Sequence, residues 1–174
     1  MDDQRQPLTE NLPAHNHTVN TFIVVDGAAD FIDFLVDVFD GQEHAAVRTP
    51  DRDGTLIHAE VVVGDSTIMI GDRKPDWPFT PALTQVYVHD VDEVLERAER
   101  AGSTTVTPRS EFYGGYDLAR FLDPWHNLWW LYAPSDVGEP TTEMTAETDW
   151  HDAEPSVVYT TLMRAMADLA PPRG

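Results

Sequence analysis

The 174-residue chain predicts an α+β fold: two βαβββ modules forming a curved, mostly antiparallel sheet pair around a cleft, plus a C-terminal amphipathic helix. Three observations predict it. The order strand, helix, strand, strand, strand runs twice, with a period of roughly 60 residues. In each copy a strand ending Val24-Val25-Asp26 or Val88-His89-Asp90 feeds a helix that stops at a glycine, Gly41 or Gly102. Each copy also closes on a hairpin, Val63-Gly-Asp-Ser-Thr-Ile-Met-Ile70 in the first and Leu122-Asp-Pro-Trp-His-Asn-Leu-Trp-Trp-Leu131 in the second. Two copies are too few for a solenoid, so they pack as a pseudo-symmetric pair.

The first residues, 1–17, are polar and broken by proline, and predict a flexible arm carrying a solvated His15 and His17. The first module spans 18–72. Its first strand, Val19–Val25, is β-branched and aromatic. Asp26 is the expected N-cap of a helix in which Phe31, Phe34, Leu35 and Val38 recur at helical spacing. Glu43–Arg48 predicts an edge strand, and Thr49–Gly54 a turn. Leu56–Val63 and Ser66–Ile70 pair around Gly64-Asp65.

Residues 73–81 form a linker with Trp77 and Phe79, and the second module spans 82–134. Leu83–Val88 is its first strand. Asp90 with Glu93 three residues on makes a capping box for a helix whose apolar face is Val91, Val94, Leu95, Ala98 and Ala101. A strand Thr104–Thr107 and a glycine-bearing loop Ser110–Tyr116 follow. The runs Leu118–Leu122 and Leu128–Tyr132 then flank Asp123-Pro-Trp-His-Asn127, where Pro124 presets φ and Asp123 and Asn127 can bond their own backbone. Alternation sends Leu128, Trp130 and Tyr132 to one face and Trp129 and Leu131 to the other, so the strand is covered on both sides.

Residues 135–154 are acidic and read as a linker, and 155–170 as a helix with Pro155 in its first turn. Its stripe of Val158, Leu162, Ala165, Met166 and Leu169 has two open destinations, its own domain or a partner chain.

Composition narrows the function. With 31 acidic against 11 basic side chains the net charge is −20, which disfavours nucleic acid and anionic membrane and attracts cations. Cysteine is absent, which excludes disulfides, thiolate ligands and cysteine nucleophiles. No apolar run approaches a membrane span and the start lacks a signal core, so the expected location is cytoplasmic. No phosphate loop, serine nucleophile elbow or dinucleotide fingerprint is present.

The doubled order, with Phe22–Leu35, Val86–Val94 and Phe121–Trp130 as the segments that carry it, resembles the vicinal oxygen chelate superfamily of glyoxalase I, bleomycin-resistance proteins and extradiol dioxygenases. His58-Ala-Glu60 before Gly64-Asp-Ser66, and Phe112-Tyr-Gly114 before the Asp-Pro turn, look most like its PhnB-like branch. The resemblance covers about Val19 to Ala133. It implies a divalent metal held from the first and fourth strands of each module, and places Asn20, Met69, Leu83 and Trp130 at those positions. An amide, a thioether, an isobutyl group and an indole are not that ion's ligands. A one-residue slip turns each side chain toward the helices, and His17 fails on the same parity. No metal or other cofactor is therefore expected.

Two functions follow. In the first, a metal-independent, bleomycin-resistance-like homodimer binds a small organic molecule, with cationic aromatic compounds among the candidates, in the cleft between modules. Its candidate ligand-binding residues are Asn20, Phe22, Met69, Gln85, Tyr87, Tyr113, Arg120 and Trp130, with Tyr113 on a covering loop and Arg120 paired either with Asp117 or another acid, or with a ligand. The C-terminal helix then packs on the same chain or on the partner. In the second, an enzyme of the lyase, isomerase or dioxygenase kind uses His58 and Glu60, which share a strand face at i, i+2 and can exchange a proton or hold a divalent metal. The plain alternative for that pair is a structural hydrogen bond.

Overall fold

A computed structural model of the chain describes residues 12–135 and 154–172. It divides into two compact units between Pro78 and Phe79, inside the predicted 73–81 linker. The first contains β1 (Thr21–Val25), α1 (Ala28–Phe39), β2 (Gln42–Glu43), β3 (Thr49–Pro50), β4 (Leu56–Val63) and β5 (Ser66–Asp72). The second contains β6 (Leu83–Tyr87), α2 (Val91–Arg100), β7 (Thr104–Phe112), β8 (Tyr116–Leu122), β9 (Leu128–Pro134) and α3 (Val157–Ala167). The sheet orders are β1-β5-β4-β2, with β3 also on β4, and β6-β9-β8-β7. In each unit the first strand runs parallel to the last and every other pair is antiparallel. The repeat read from the sequence is thus a repeat of connectivity, and the fold is α+β as predicted.

Each sheet buries one face under its helix. In the first unit Phe31, Leu35 and Val38 of α1 meet Ile23, Val25, Ala59, Val61, Ile68 and Ile70, all buried. In the second, Val91, Val94, Leu95 and Ala98 of α2 cover Ala119, Phe121, Trp129 and Leu131, and the rings of Phe121 and Trp129 stack at 6.2 Å. The period-two alternation then commits His58, Glu60, Met69 and Phe22 to the other face of the first sheet. It does the same for Gln85, Tyr87, Arg120 and Trp130 in the second.

Several local expectations need correcting. Asp26 does not cap α1. The N-cap is Gly27 at φ 91°, and Asp72, at the end of the neighbouring strand, accepts from the N–H groups of Gly27 and Ala28. The edge strand Glu43–Arg48 shrinks to Gln42–Glu43, because the chain curls into a 3₁₀ turn at Ala45–Val47. Pairing resumes at Thr49–Pro50, inside the segment expected to be a turn. The loop Ser110–Tyr116 is mostly strand. Phe112 pairs with Tyr116, and Gly114 and Gly115 at φ 72° and 75° make a tight reversal that only glycine adopts without strain. Of the arm, residues 12–17 are tied down: the carbonyl of His15 accepts from both the N–H and the hydroxyl of Thr67. Residues 1–11 and most of the predicted acidic linker lie outside the described residues.

The last helix starts later than predicted. Ser156 caps it by accepting from the N–H of Tyr159, which leaves Pro155 outside. Its half-covered face is Val158, Thr161, Leu162, Ala165 and Leu169, while Met166 points out. Of the two destinations left open by the sequence, α3 takes its own unit, against β7. Among the described residues no helix is long and apolar enough to cross a membrane.

Candidate functional site

The open face of the second sheet carries a continuous aromatic and polar surface. Register places Leu83, Gln85 and Tyr87 of β6 beside Leu128, Trp130 and Tyr132 of β9, and Trp130 beside Arg120 of β8. The guanidinium of Arg120 lies 3.8 Å from the centroid of the Trp130 ring. Tyr132 stacks on Tyr87 at 5.5 Å, meets Phe112 edge-on at 5.8 Å, and its hydroxyl accepts from Gln85 at 3.3 Å. Tyr116 closes on Tyr87 at 5.7 Å. Tyr87 is nevertheless 70% exposed and Leu83 53%, so this end of the face is open.

The other end is covered. Arg120 is only 1% exposed, and its Nη1 donates to the hydroxyl of Thr107 at 3.2 Å and to the carbonyl of Val158 in α3 at 2.8 Å. Thr107 and Thr161 share a hydroxyl–hydroxyl hydrogen bond of 2.7 Å. Beyond the helix, the imidazole of His126 meets the carbonyl of Ala170. Asp117, the predicted partner of Arg120, is held instead by Arg109, whose Nε and Nη2 donate at 2.7 and 2.6 Å. The residues face opposite sides of β8, so period-two alternation forbade the Arg120–Asp117 pair. Burial lowers the Arg120 pKa, and burial first, then Tyr87, raises that of Tyr132. Arg120 remains a cation at any working pH.

In the first unit, Glu60, Met69 and Phe22 occupy one rung across β4, β5 and β1. His58 donates or accepts through Nε2 at 3.1 Å from one oxygen of Glu60, and its ring lies 6.3 Å from that of Phe22. The other Glu60 oxygen faces Nδ1 of His44 at 3.5 Å. Sequence reading missed His44. Its signal is positional: β2 pairs Gln42 with Val62 and Glu43 with Val61, so the next residue falls opposite Glu60. Thr107 was also missed, because a lone threonine on a strand carries no pattern that points to a site.

The positions at which the resemblance implies a metal do not fit one. Asn20 is committed to its own loop, its Oδ1 accepting from His17 N–H and its Nδ2 donating to His17 carbonyl. Met69 offers a thioether, Leu83 no donor atom, and Trp130 an N–H that cannot ligate. Among the described residues no group of three His, Asp or Glu side chains could hold a metal ion. Tyr113 stands half-exposed at the tip of the β7–β8 turn against Phe112, with ring centroids 4.8 Å apart.

Two βαβββ units, each with one sheet face under a helix and the other presenting side chains, define the class of protein. Residues 15–131 match the family described as the Glyoxalase/Bleomycin resistance protein/Dioxygenase superfamily, and the chain belongs to it. An uncharacterized protein of Mycobacterium bovis is 33% identical over 136 residues, covering 72% of this chain and 84% of that one. Among solved structures, TioX from Micromonospora sp. ML1 is similar at 24% identity and a TM-score of 0.52, over 66% of this chain and 98% of its own. The PhnB protein of Bacillus cereus, described as a putative 3-demethylubiquinone-9 3-methyltransferase, is similar at 18% identity and a TM-score of 0.54, over 67% and 99%. At these identities the two structures speak to the fold alone.

Proposed function

We propose that the chain is a PhnB-like, metal-independent member of its superfamily that binds a small organic molecule on the open face of the β6-β9-β8-β7 sheet. The observation that carries this reading is the row Gln85, Tyr87, Tyr132, Trp130 and Arg120. It combines flat apolar rings with a few fixed polar groups, the make-up of a small-molecule site. The unsuitability of Asn20, Met69, Leu83 and Trp130 as ligands supports metal independence. A cationic aromatic ligand, attractive from the net charge, fits less well here, because the Trp130 face already carries the Arg120 guanidinium. The working unit is a homodimer; exposed Trp77, and exposed Tyr159, Met163 and Met166 on the outer side of α3, supply apolar surface for it.

Thermal-shift screening against small aromatic compounds tests the reading, with Trp130→Phe and Gln85→Ala as site controls. Stabilisation that weakens in both variants is expected. A panel in which no compound stabilises the protein would overturn it.

A second reading rests on the Glu60 cluster. A carboxylate flanked by His58 and His44 is able to move a proton at a place other than the family's four positions. Stoichiometric metal in protein purified without a tag, lost in His58→Ala, would favour this enzyme over the binding protein.

A further inference from the structure

The buried end of the open face holds more hydrogen-bond donors than acceptors. Nε of Arg120 and Nε1 of Trp130 are both buried and have no partner among the described residues. Burying an N–H without an acceptor is unfavourable, and doing so beside a buried cation is more so. Among the described residues Arg120 also meets no carboxylate, its surroundings being the Trp130 ring, Thr107, Val158 and Tyr132. In a chain with 31 acidic and 11 basic side chains this is unusual. Arg48, Arg73, Lys74, Arg100 and Arg109 each meet a carboxylate. The sole acceptor that α3 brings to Arg120 is a backbone carbonyl, that of Val158. Nor does α3 sit deeply. None of its residues is fully buried, and Val157, Tyr159, Met163 and Met166 are exposed. An element with so little buried surface opens locally at low cost.

We propose that Arg120, Trp130 and Thr107 form the binding site for the oxyanion group of a small molecule, a carboxylate or a phosphate-type group. In this proposal α3 is a removable cover whose Val158 carbonyl stands in for one oxygen of that group. It rests on the reading of this face as the ligand site, and adds the charge of the ligand and the element that must move. A guanidinium edge and an indole N–H suit a planar or tetrahedral oxyanion, and the buried setting strengthens each bond. The Arg120 charge, unanswered by any acid among the described residues, is then answered by the ligand.

The test uses the full chain and the indole N–H signal of Trp130 in ¹⁵N NMR, assigned with Trp130→Phe. Inorganic phosphate, benzoate and the neutral benzamide are titrated at constant ionic strength. Saturable movement of the Trp130 signal by phosphate or benzoate is expected, and which of the two binds more tightly assigns the oxyanion type. Arg120→Gln should abolish it. If that variant misfolds, loss of the benzoate-dependent thermal shift in Trp130→Phe, which leaves a smaller aromatic ring and removes the N–H, reads the same contact. Leu162→Asp, on the half-covered side of α3, should tighten binding by about tenfold, as expected for a cover closed in roughly nine molecules of ten. Unchanged affinity in Leu162→Asp would overturn the cover. Absence of any response to both anions, in the native chain and in Leu162→Asp, would overturn the oxyanion site. Benzamide alone moving the signal would also overturn it, while leaving the small-molecule reading standing.

Discussion

Asp123 accepts a hydrogen bond of 2.9 Å from the indole Nε1 of Trp129, six residues along the chain and across the β8–β9 turn. The same carboxylate accepts from the backbone N–H of Trp125 and from both the backbone and the side chain of Asn127. Asp123 is 2% exposed, and burial, the leading influence, raises its pKa against the lowering effect of these donors. The turn therefore does two jobs. It reverses the chain, and it fixes the Trp129 ring against α2 so that Trp130 faces the opposite side.

Asp123→Ala removes the acceptor of four N–H groups, two of them on side chains buried in the core. The expected loss is about 3 kcal/mol or more, above the usual range for a surface turn. Urea unfolding checks it, and a change under about 1 kcal/mol would show that the turn does not depend on this carboxylate.

Asp72 joins elements that the sequence does not connect. Its Oδ1 accepts from Gly27 and Ala28 at the start of α1, and its Oδ2 from the N–H of Leu56 at the start of β4. Asp72→Ala should cost about 2 kcal/mol, as loss of a helix cap together with a strand contact. Faster amide exchange at Gly27, Ala28 and Leu56, with Asp92 and Glu93 of α2 unaffected, would locate the loss.

The contrast between the two helix caps shows what was legible. Asp90 was readable as the cap of α2 because its acceptor lies next to its donors in the chain, and Oδ1 does accept from Asp92 and Glu93. The cap of α1 comes from Asp72, 45 residues away from Gly27, and local pattern carries no trace of such a contact. Strand alternation was equally local, so His58, Glu60, Met69 and Trp130 share the sheet faces opposite the helices, whereas the suggested Arg120–Asp117 pair overlooked that alternation. The environment of Arg120 was not legible, because it depends on where α3 lands. That stripe specified an apolar contact without specifying its address.

Acid should loosen the Asp51–Thr55 turn. Lys74 donates to Asp53 at 2.9 Å and contacts Asp51 at 2.6 Å. The Lys74 hydrogen bond lowers the pKa of Asp51, and hydrogen bonds from Thr55 and then Lys74 lower that of Asp53. With folded values below the ordinary aspartate value of about 3.9, their contribution is complete above that pH and is lost as pH falls through the folded values. Between those limits the unfolded chain binds more protons than the folded one, so stability rises with pH. Titration of the Asp51 and Asp53 carboxyl carbons by NMR checks the sign; midpoints above about 4 would refute it.

Glu60 separates a structural cluster from a reactive one. Replacing it by Gln keeps the shape of the side chain and removes the charge that His58 and His44 face. Both histidines are partly exposed, so the stability change should stay within about 1 kcal/mol. A ligand seated on the second unit's Trp130 face should bind Glu60→Gln with unchanged affinity. A stable Glu60→Gln protein that retains ligand binding makes this cluster a hydrogen-bonded fixture of its sheet. Loss of stoichiometric metal or of catalytic turnover in the same variant would identify Glu60 as the reacting group.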